Sequence, residues 1–195
     1  MHDSLTYHQE IYRKFIHLSS SVMALALWYF GKETFLPCLI GVAIIIPLLD
    51  YGRHHIDLLS RIYNYFFTIF TRPIEYRNLS GASWVVIGAA LTTLIFNENT
   101  AIIGLLVLSL ADSAAAIIGL KFGKTYLFNK SLEGSAAFFI VAFLIVFYLS
   151  PAFFLINLIT VLAATAVELF STARMNDNLF IPLVTAFILT LGGVT

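Results

Sequence analysis

Seven apolar stretches run through the chain, at residues 15–30, 34–49, 79–96, 101–120, 134–149, 151–170 and 179–195. A bilayer core of about 30 Å takes about 20 helical residues to cross, with about 17 as a lower limit. Each stretch therefore reads as a transmembrane helix, the shorter ones drawing on flanking residues or thinning the bilayer around them. The first stretch follows Arg13 and Lys14 as a signal peptide would, but a second begins only three residues beyond its end, so it reads as an uncleaved span. Composition agrees. Hydrophobic residues make up 59% and charged residues 11% of the sequence, against roughly 45–50% and about 25% in soluble domains. A water-soluble globule is excluded. Eleven cationic side chains face eleven anionic ones, which leaves no basic excess for a nucleic acid. The single cysteine, Cys38, lies in an apolar run and reads as a packed or lipid-facing residue. The expected fold is all-α, a polytopic membrane helix bundle of about seven transmembrane helices in a single domain, residues 1–195.

Orientation follows from the cations. With the N-terminus inside, the inner segments hold Arg13, Lys14, Arg53, Arg61, Arg72, Arg77, Lys121, Lys124, Lys130 and Arg174, and the outer segments hold only Lys32. The positive-inside rule then places the N-terminus in the cytoplasm and the C-terminus outside. The segment 56–70 tests the count. Asp57, Ser60, Arg61, Asn64, Thr68 and Thr71 recur at three- and four-residue steps, opposite Ile62, Tyr65, Phe66 and Ile69. With Asp57 and Arg61 inside about 15 residues, it suits an interfacial amphipathic helix. If it crossed, the three lysines of the 121–130 loop would move outside and weaken the bias.

Charged residues inside the apolar runs are the candidates for chemistry. Asp112 lies eight residues before the end of the fourth run, about two helical turns deep. A lone carboxylate there is costly and should face the bundle with a partner or a cation. Ser109, Asp112, Ala115, Ala116 and Gly119 recur at helical spacing, a small-residue face that admits a backbone or a ligand. Glu168 is expected at similar depth near the inner end of the sixth run, and Asp177 with Asn178 opens the seventh. Hard oxygen donors on one membrane face suit Mg²⁺ held jointly with substrate phosphates; alternatively, Asp177 and Asn178 cap the last helix, with Pro182 in its first turn. At the N-terminus Arg13 and His17 are four apart, with Lys14 adjacent. These cations serve an anionic ligand, or else fix topology and touch lipid headgroups; His17 is a proton carrier or a buried structural histidine.

The loop 121–135 is the most informative segment. Gly119 and Gly123 followed by Lys124 and Thr125 look like a Walker A loop, but three residues separate the glycines instead of four, and an apolar helix precedes them where a strand is required. A P-loop is rejected. Lys130, Ser131, Glu133, Gly134 and Ser135 place a cation, two hydroxyls and a glycine directly before a helix, where free N–H groups and the positive dipole end favour an anion. An ordinary N-cap beside a headgroup lysine is the plainer alternative. Glu75, between Arg72 and Arg77 and six residues before Gly81, reads on its own as part of a solvated charged loop.

Taken together, Arg13-Lys14-x-x-His17, Arg72-Pro73-x-Glu75 leading to Leu79-x-Gly81, Ala111-Asp112 through Gly119 and Gly123-Lys124, Lys130-Ser131-x-Glu133-Gly134-Ser135, and Glu168 followed by Asp177-Asn178 and Pro182 resemble the CTP-dependent lipid kinases. That family includes dolichol kinase, phytol kinase and CTP-dependent diacylglycerol kinase, and is distantly similar to phosphatidate cytidylyltransferases. The resemblance runs from about Tyr12 to Pro182. It implies transfer of the γ-phosphoryl group of CTP to a membrane lipid alcohol. Arg13, Lys14, Asp112 and Gly119 would then belong to the transfer site, and Lys130 to Ser135 to the CTP-binding loop. The expected roles are Mg²⁺ held by Asp112 with Asp177 and Glu168 or Glu133, phosphates neutralised by Lys130, Lys124, Arg13 and Lys14, and backbone donors from Gly134 and Ser135. Glu75 and Asn178 are further motif positions. His17 or a carboxylate would take the acceptor proton. The competing expectations are a cytidylyltransferase, which attacks the α-phosphate and forms a CDP-lipid, and a small transporter or channel using Asp112 and Glu168 as ion sites.

Overall fold

The computed structural model describes residues 7–67, 71, 75, 78–128, 130–171 and 176–195. Of the residues used above, Thr68, Ile69, Arg72, Pro73, Arg77 and Arg174 lie outside the described residues. The helices are α1 (Tyr7–Ser19), α2 (Ser21–Phe30), α3 (Lys32–Gly52), α4 (Asp57–Phe67), α5 (Gly81–Ile95), α6 (Glu98–Leu106), α7 (Asp112–Phe122), α8 (Leu132–Leu149), α9 (Phe154–Leu169) and α10 (Asp177–Leu191). Between α6 and α7 the helix continues through one wide π-helical turn, Val107–Ala111. Two short strands, β1 (Tyr126–Leu127) and β2 (Lys130–Ser131), pair antiparallel.

Every apolar run falls on helix, so the all-helical expectation holds. Among the described residues, three helical stretches are long and apolar enough to cross a membrane: Lys32–Gly52, the continuous Glu98–Phe122, and Leu132–Leu149. Gly81–Ile95, Phe154–Leu169 and Asp177–Leu191 are apolar but shorter, below the usual limit of about 17 residues. The expectation of seven crossings is thus supported as an apolar helical bundle with three candidate spans. The predicted interfacial helix is α4. None of its described side chains is buried, and Leu58, Ile62, Tyr65 and Phe66 stand exposed.

Short polar side chains start the helices. Ser80 accepts from the Ser83 amide ahead of α5, Asn97 from Thr100 ahead of α6, and Ser131 from Gly134 ahead of α8, each satisfying a donor that the first turn leaves open. At α10 the structure corrects the expected cap: Asn176 is the N-cap and Asp177 the first helical residue, so Pro182 falls in the second turn. There its backbone packs on Gly104, where an added Cβ would meet the Pro182 carbonyl at 2.7 Å. Glycine is required by that approach.

Two apolar cores fill the bundle. One gathers Val107, Leu108, Phe138, Val146, Val161, Ile181 and Leu189 between the π-helical turn, α8, α9 and α10. The other gathers Ala24, Leu27, Leu39, Ala89, Ile102 and Leu105 between α2, α3, α5 and α6. Cys38 is exposed and carries a free thiol. Side-chain contacts bring together α1, the start of α7, the β1–β2 hairpin, the N-termini of α5, α8 and α10, and the C-terminus of α9. At the opposite end of the bundle Lys32 donates to the Phe96 carbonyl at 2.6 Å, and buried Asn157 pairs with Ser150.

Candidate active site

The first group of charges is built on α1 and the start of α7. Lys14, 7% exposed, forms an ion pair with Asp112, 2% exposed. His17 lies one turn on, with Nε2 3.2 Å from both Asp112 Oδ2 and the Leu108 carbonyl. Both partners are acceptors, so these contacts assign the hydrogen to Nε2 and leave Nδ1 as the ring's acceptor. Leu108 belongs to the π-helical turn, a rare geometry that concentrates at functional sites. The wide turn delivers Asp112 as the first residue of α7, under α1. Helical spacing alone paired Arg13 with His17; the structure instead directs Lys14 and His17, three apart, to the same carboxylate.

A second group lies between the hairpin, α8, α9 and α10. Lys130 Nζ is 3.1 Å from Glu168 Oε1 and 3.0 Å from Asp177 Oδ2. Glu168, 2% exposed, also accepts from Ser135 Oγ at 2.7 Å. Burial would lower the pKa of Lys130, but Asp177, Asp112 and Glu168 outweigh it and hold the ammonium above the ordinary lysine range. Asp112 therefore acts on both groups, joining them into one electrostatic unit. Two lysines stand among three carboxylates at one end of the bundle.

The small-residue face is used for backbone approach. A Cβ on Gly134 would sit 2.7 Å from the Ala115 carbonyl and 2.9 Å from Ser131 Oγ, and one on Gly119 would sit 2.7 Å from Ser131 Oγ. The N-terminus of α8 is thereby seated directly on α7, one turn from Asp112. Ser131 caps Gly134, as the plainer alternative requires.

A third group surrounds Gly81. Glu75 Oε1 accepts from the Gly81 amide at 3.3 Å, and buried Asn178 donates Nδ2 to the Gly81 carbonyl at 3.3 Å. Arg13 Nη1 is near the same glycine, 3.8 Å from the position of a Cβ, while its Nε pairs with Glu10 at 3.0 Å. Side chains from α1, from Glu75 and from α10 thus meet at the start of α5.

Not every candidate converges. Lys124 is exposed on the loop, and Glu133 turns back to the Thr125 amide at 3.3 Å, bracing the hairpin. Among the described residues, no three His, Cys, Asp or Glu side chains are gathered closely enough to hold a metal ion. Asp112 is engaged by Lys14, and Glu168 with Asp177 by Lys130. Mg²⁺ shared with phosphates needs only one or two carboxylates. Asp177, whose side chain is about a quarter exposed at 24%, fits that lesser role. Sequence reasoning missed a buried pair, Asp50 and Arg53, because each ends an apolar run and reads as a boundary residue. Their three-residue spacing on a helix was the available signal.

The chain is 33% identical over 180 residues to an uncharacterized protein of Rickettsia prowazekii, covering 88% of each. It is 32% identical over 187 residues to an uncharacterized protein of Methanocaldococcus jannaschii, covering 93% of each. It is also 32% identical over 165 residues to CTP-dependent diacylglycerol kinase 1 of Saccharomyces cerevisiae, which takes in 80% of this chain and 56% of the kinase. The chain thus spans about half of that kinase. No family model matches the chain, and no solved structure matches it significantly.

Proposed function

Because the chain belongs to one family with these rickettsial and archaeal proteins and is homologous over most of its length to a CTP-dependent diacylglycerol kinase, we propose that it is a CTP-dependent lipid kinase of the membrane. The observation that carries the reading is the meeting of Lys14–Asp112 and Lys130–Glu168–Asp177 at one bundle end, against the start of α8. Phosphoryl transfer asks for positioning and charge neutralisation more than for covalent chemistry. These residues offer both.

In this reading the triphosphate of CTP lies over Lys130 and Lys14, with α8 directing its positive end at it. The lysines exchange part of their carboxylate contacts for phosphate oxygens, and Arg13 adds a bidentate donor from the Gly81 side. Mg²⁺ would be held by Asp177, with Asp112 beside it, and would supply charge neutralisation between the phosphates. A lipid alcohol enters between helices with its tail left in the bilayer. Its oxygen forms the new bond to the γ-phosphorus as the bridge to the β-phosphate breaks. CDP departs with the electron pair, and the hydroxyl proton passes to His17 Nδ1 or to a carboxylate. Diacylglycerol, a polyprenol such as dolichol, and phytol are the acceptor classes. In this reading the site opens at the cytoplasmic face, where CTP is found, an orientation that the cation distribution of the sequence supports.

The test is reconstitution in vesicles that carry diacylglycerol, a polyprenol or phytol, with CTP and Mg²⁺ added. A new lipid monophosphate from one of these alcohols is the expected product. No phosphorylated lipid from any of them, with no thermal stabilisation by CTP, overturns the reading and favours a transporter.

A further inference from the structure

Outside the lysine and carboxylate groups, one other ion pair is buried among the described residues. Asp50 and Arg53, 5% and 6% exposed, close the end of α3 with Arg53 Nε 2.7 Å from Asp50 Oδ1. Breaking a buried pair is costly, but replacing one with apolar residues is often neutral or stabilising. Stability alone therefore gives a weak reason for this pair, and its contacts give a better one. Arg53 Nη2 donates to the Glu75 carbonyl at 2.6 Å and the Asn78 carbonyl at 3.3 Å, while its guanidinium lies 3.8 Å over the Tyr63 ring of α4. Asp50 Oδ2 accepts from the Ser80 amide at 2.6 Å and from Ser83 Oγ at 2.7 Å. Ser80 is the N-cap of α5. One pair of side chains thus holds α4, the backbone at Glu75 and Asn78, and the first turn of α5.

The backbone so held belongs to the residue whose side chain reaches Gly81, where Arg13 and Asn178 also arrive. We propose that Asp50 and Arg53 are positioning residues that fix Glu75 against Arg13 and Asn178, and so set the Arg13 wall of the nucleotide site. The inference rests on the kinase reading for its kinetic consequence and on geometry alone for the placement. Only arginine fits the role. A carboxylate, two carbonyls and a ring face are served at once by one planar fork, which a lysine ammonium cannot reproduce.

The experiment pairs Arg53→Lys with Glu75→Gln in full-length protein in vesicles. Arg53→Lys is expected to raise KM for CTP and lower kcat/KM about tenfold or more, because a displacement of about 1 Å at a site is enough for such losses. KM for the lipid acceptor should stay as in wild type. In the Glu75→Gln background the same change should add little, since both act through one contact. Ser83→Ala, which removes a single Asp50 contact, should shift KM for CTP in the same direction by less and keeps the test alive if Arg53→Lys fails to fold. Hydrogen exchange gives a readout free of catalysis: the Ser80 and Gly81 amides should exchange faster in Arg53→Lys than in wild type. Losses that multiply in the double variant, or unchanged exchange at those amides, overturn the positioning role. If wild type phosphorylates no lipid, the kinase reading fails, and the exchange result still decides the placement.

Discussion

The Lys14–Asp112 pair supports a prediction that separates a structural role from a chemical one. Lys14 is 7% and Asp112 2% exposed, so neither charge has water to fall back on. Removing one partner of a buried pair costs about 3–5 kcal/mol, whereas removing both is often close to neutral. In Lys14→Met the carboxylate keeps His17 Nε2 at 3.2 Å, so the loss should fall near the lower end, about 3 kcal/mol. In Asp112→Asn the amide oxygen still accepts a hydrogen bond but the ammonium loses its counter-charge, which puts the loss at about 3–4 kcal/mol. For a chain of this size such losses lower Tm by roughly 6–16 °C. The Lys14→Met/Asp112→Asn double variant should return to within about 1 kcal/mol of wild type, yet remain without phosphoryl transfer. Thermal unfolding in nanodiscs and lipid phosphorylation, measured on the four proteins, complete the cycle. Stability losses that simply add would show that the two charges are not coupled. Wild-type turnover in Asp112→Asn would remove Asp112 from the chemistry.

Three other outcomes follow from the geometry. Gly134→Ala would force a Cβ to 2.7 Å from the Ala115 carbonyl; a loss of about 1–3 kcal/mol, read by thermal unfolding, is expected from such overpacking, together with weaker stabilisation by CTP. Lys130→Met leaves Glu168 and Asp177 facing each other and should raise KM for CTP. Because the folded pKa of Lys130 is raised, its stabilising contribution is fully present below its ordinary value of 10.5 and is lost only as pH rises through the higher folded value. Wild type and Lys130→Met should therefore differ in Tm by a constant amount from pH 7 to 9. At the opposite end of the bundle, Asn157→Ala removes two hydrogen bonds to Ser150, whose hydroxyl keeps the Val146 carbonyl and whose carbonyl keeps the Phe153 amide; a loss of about 1–3 kcal/mol of stability is expected, with KM for CTP unchanged.

Much of the site was legible because the membrane makes charge placement expensive. A carboxylate inside an apolar run must find a partner, and Asp112 found Lys14; Glu168 and Asp177, predicted on the same face, share Lys130. Helical spacing located the small face of α7, and the structure showed that Ser131, the N-cap of α8, and Gly134 in its first turn occupy it. Other features depend on tertiary context. Nothing in Val107–Ala111 marks a π-helical turn, yet that turn decides where Asp112 points. Glu133 shares a motif block with Lys130, and Lys124 shares one with Asp112, but Glu133 turns back to the hairpin and Lys124 stays exposed on the loop. Asp50 and Arg53 looked like ordinary boundary residues, because their value lies in backbone groups some 25 residues further along, at Glu75, Asn78 and Ser80. The spans behave likewise: apolarity finds the helices, whereas α5, α9 and α10 end where their caps and packing end them.

The bond broken in CTP tests the central claim most directly. The purified chain in vesicles holding a lipid alcohol is given CTP carrying one label on the γ-phosphate and another in the cytosine, and the lipid phase is extracted. The account predicts that the γ-phosphate label enters the lipid and the cytosine label stays in the water as CDP. Cytosine label in the lipid with release of pyrophosphate would identify a CDP-lipid synthase and contradict it.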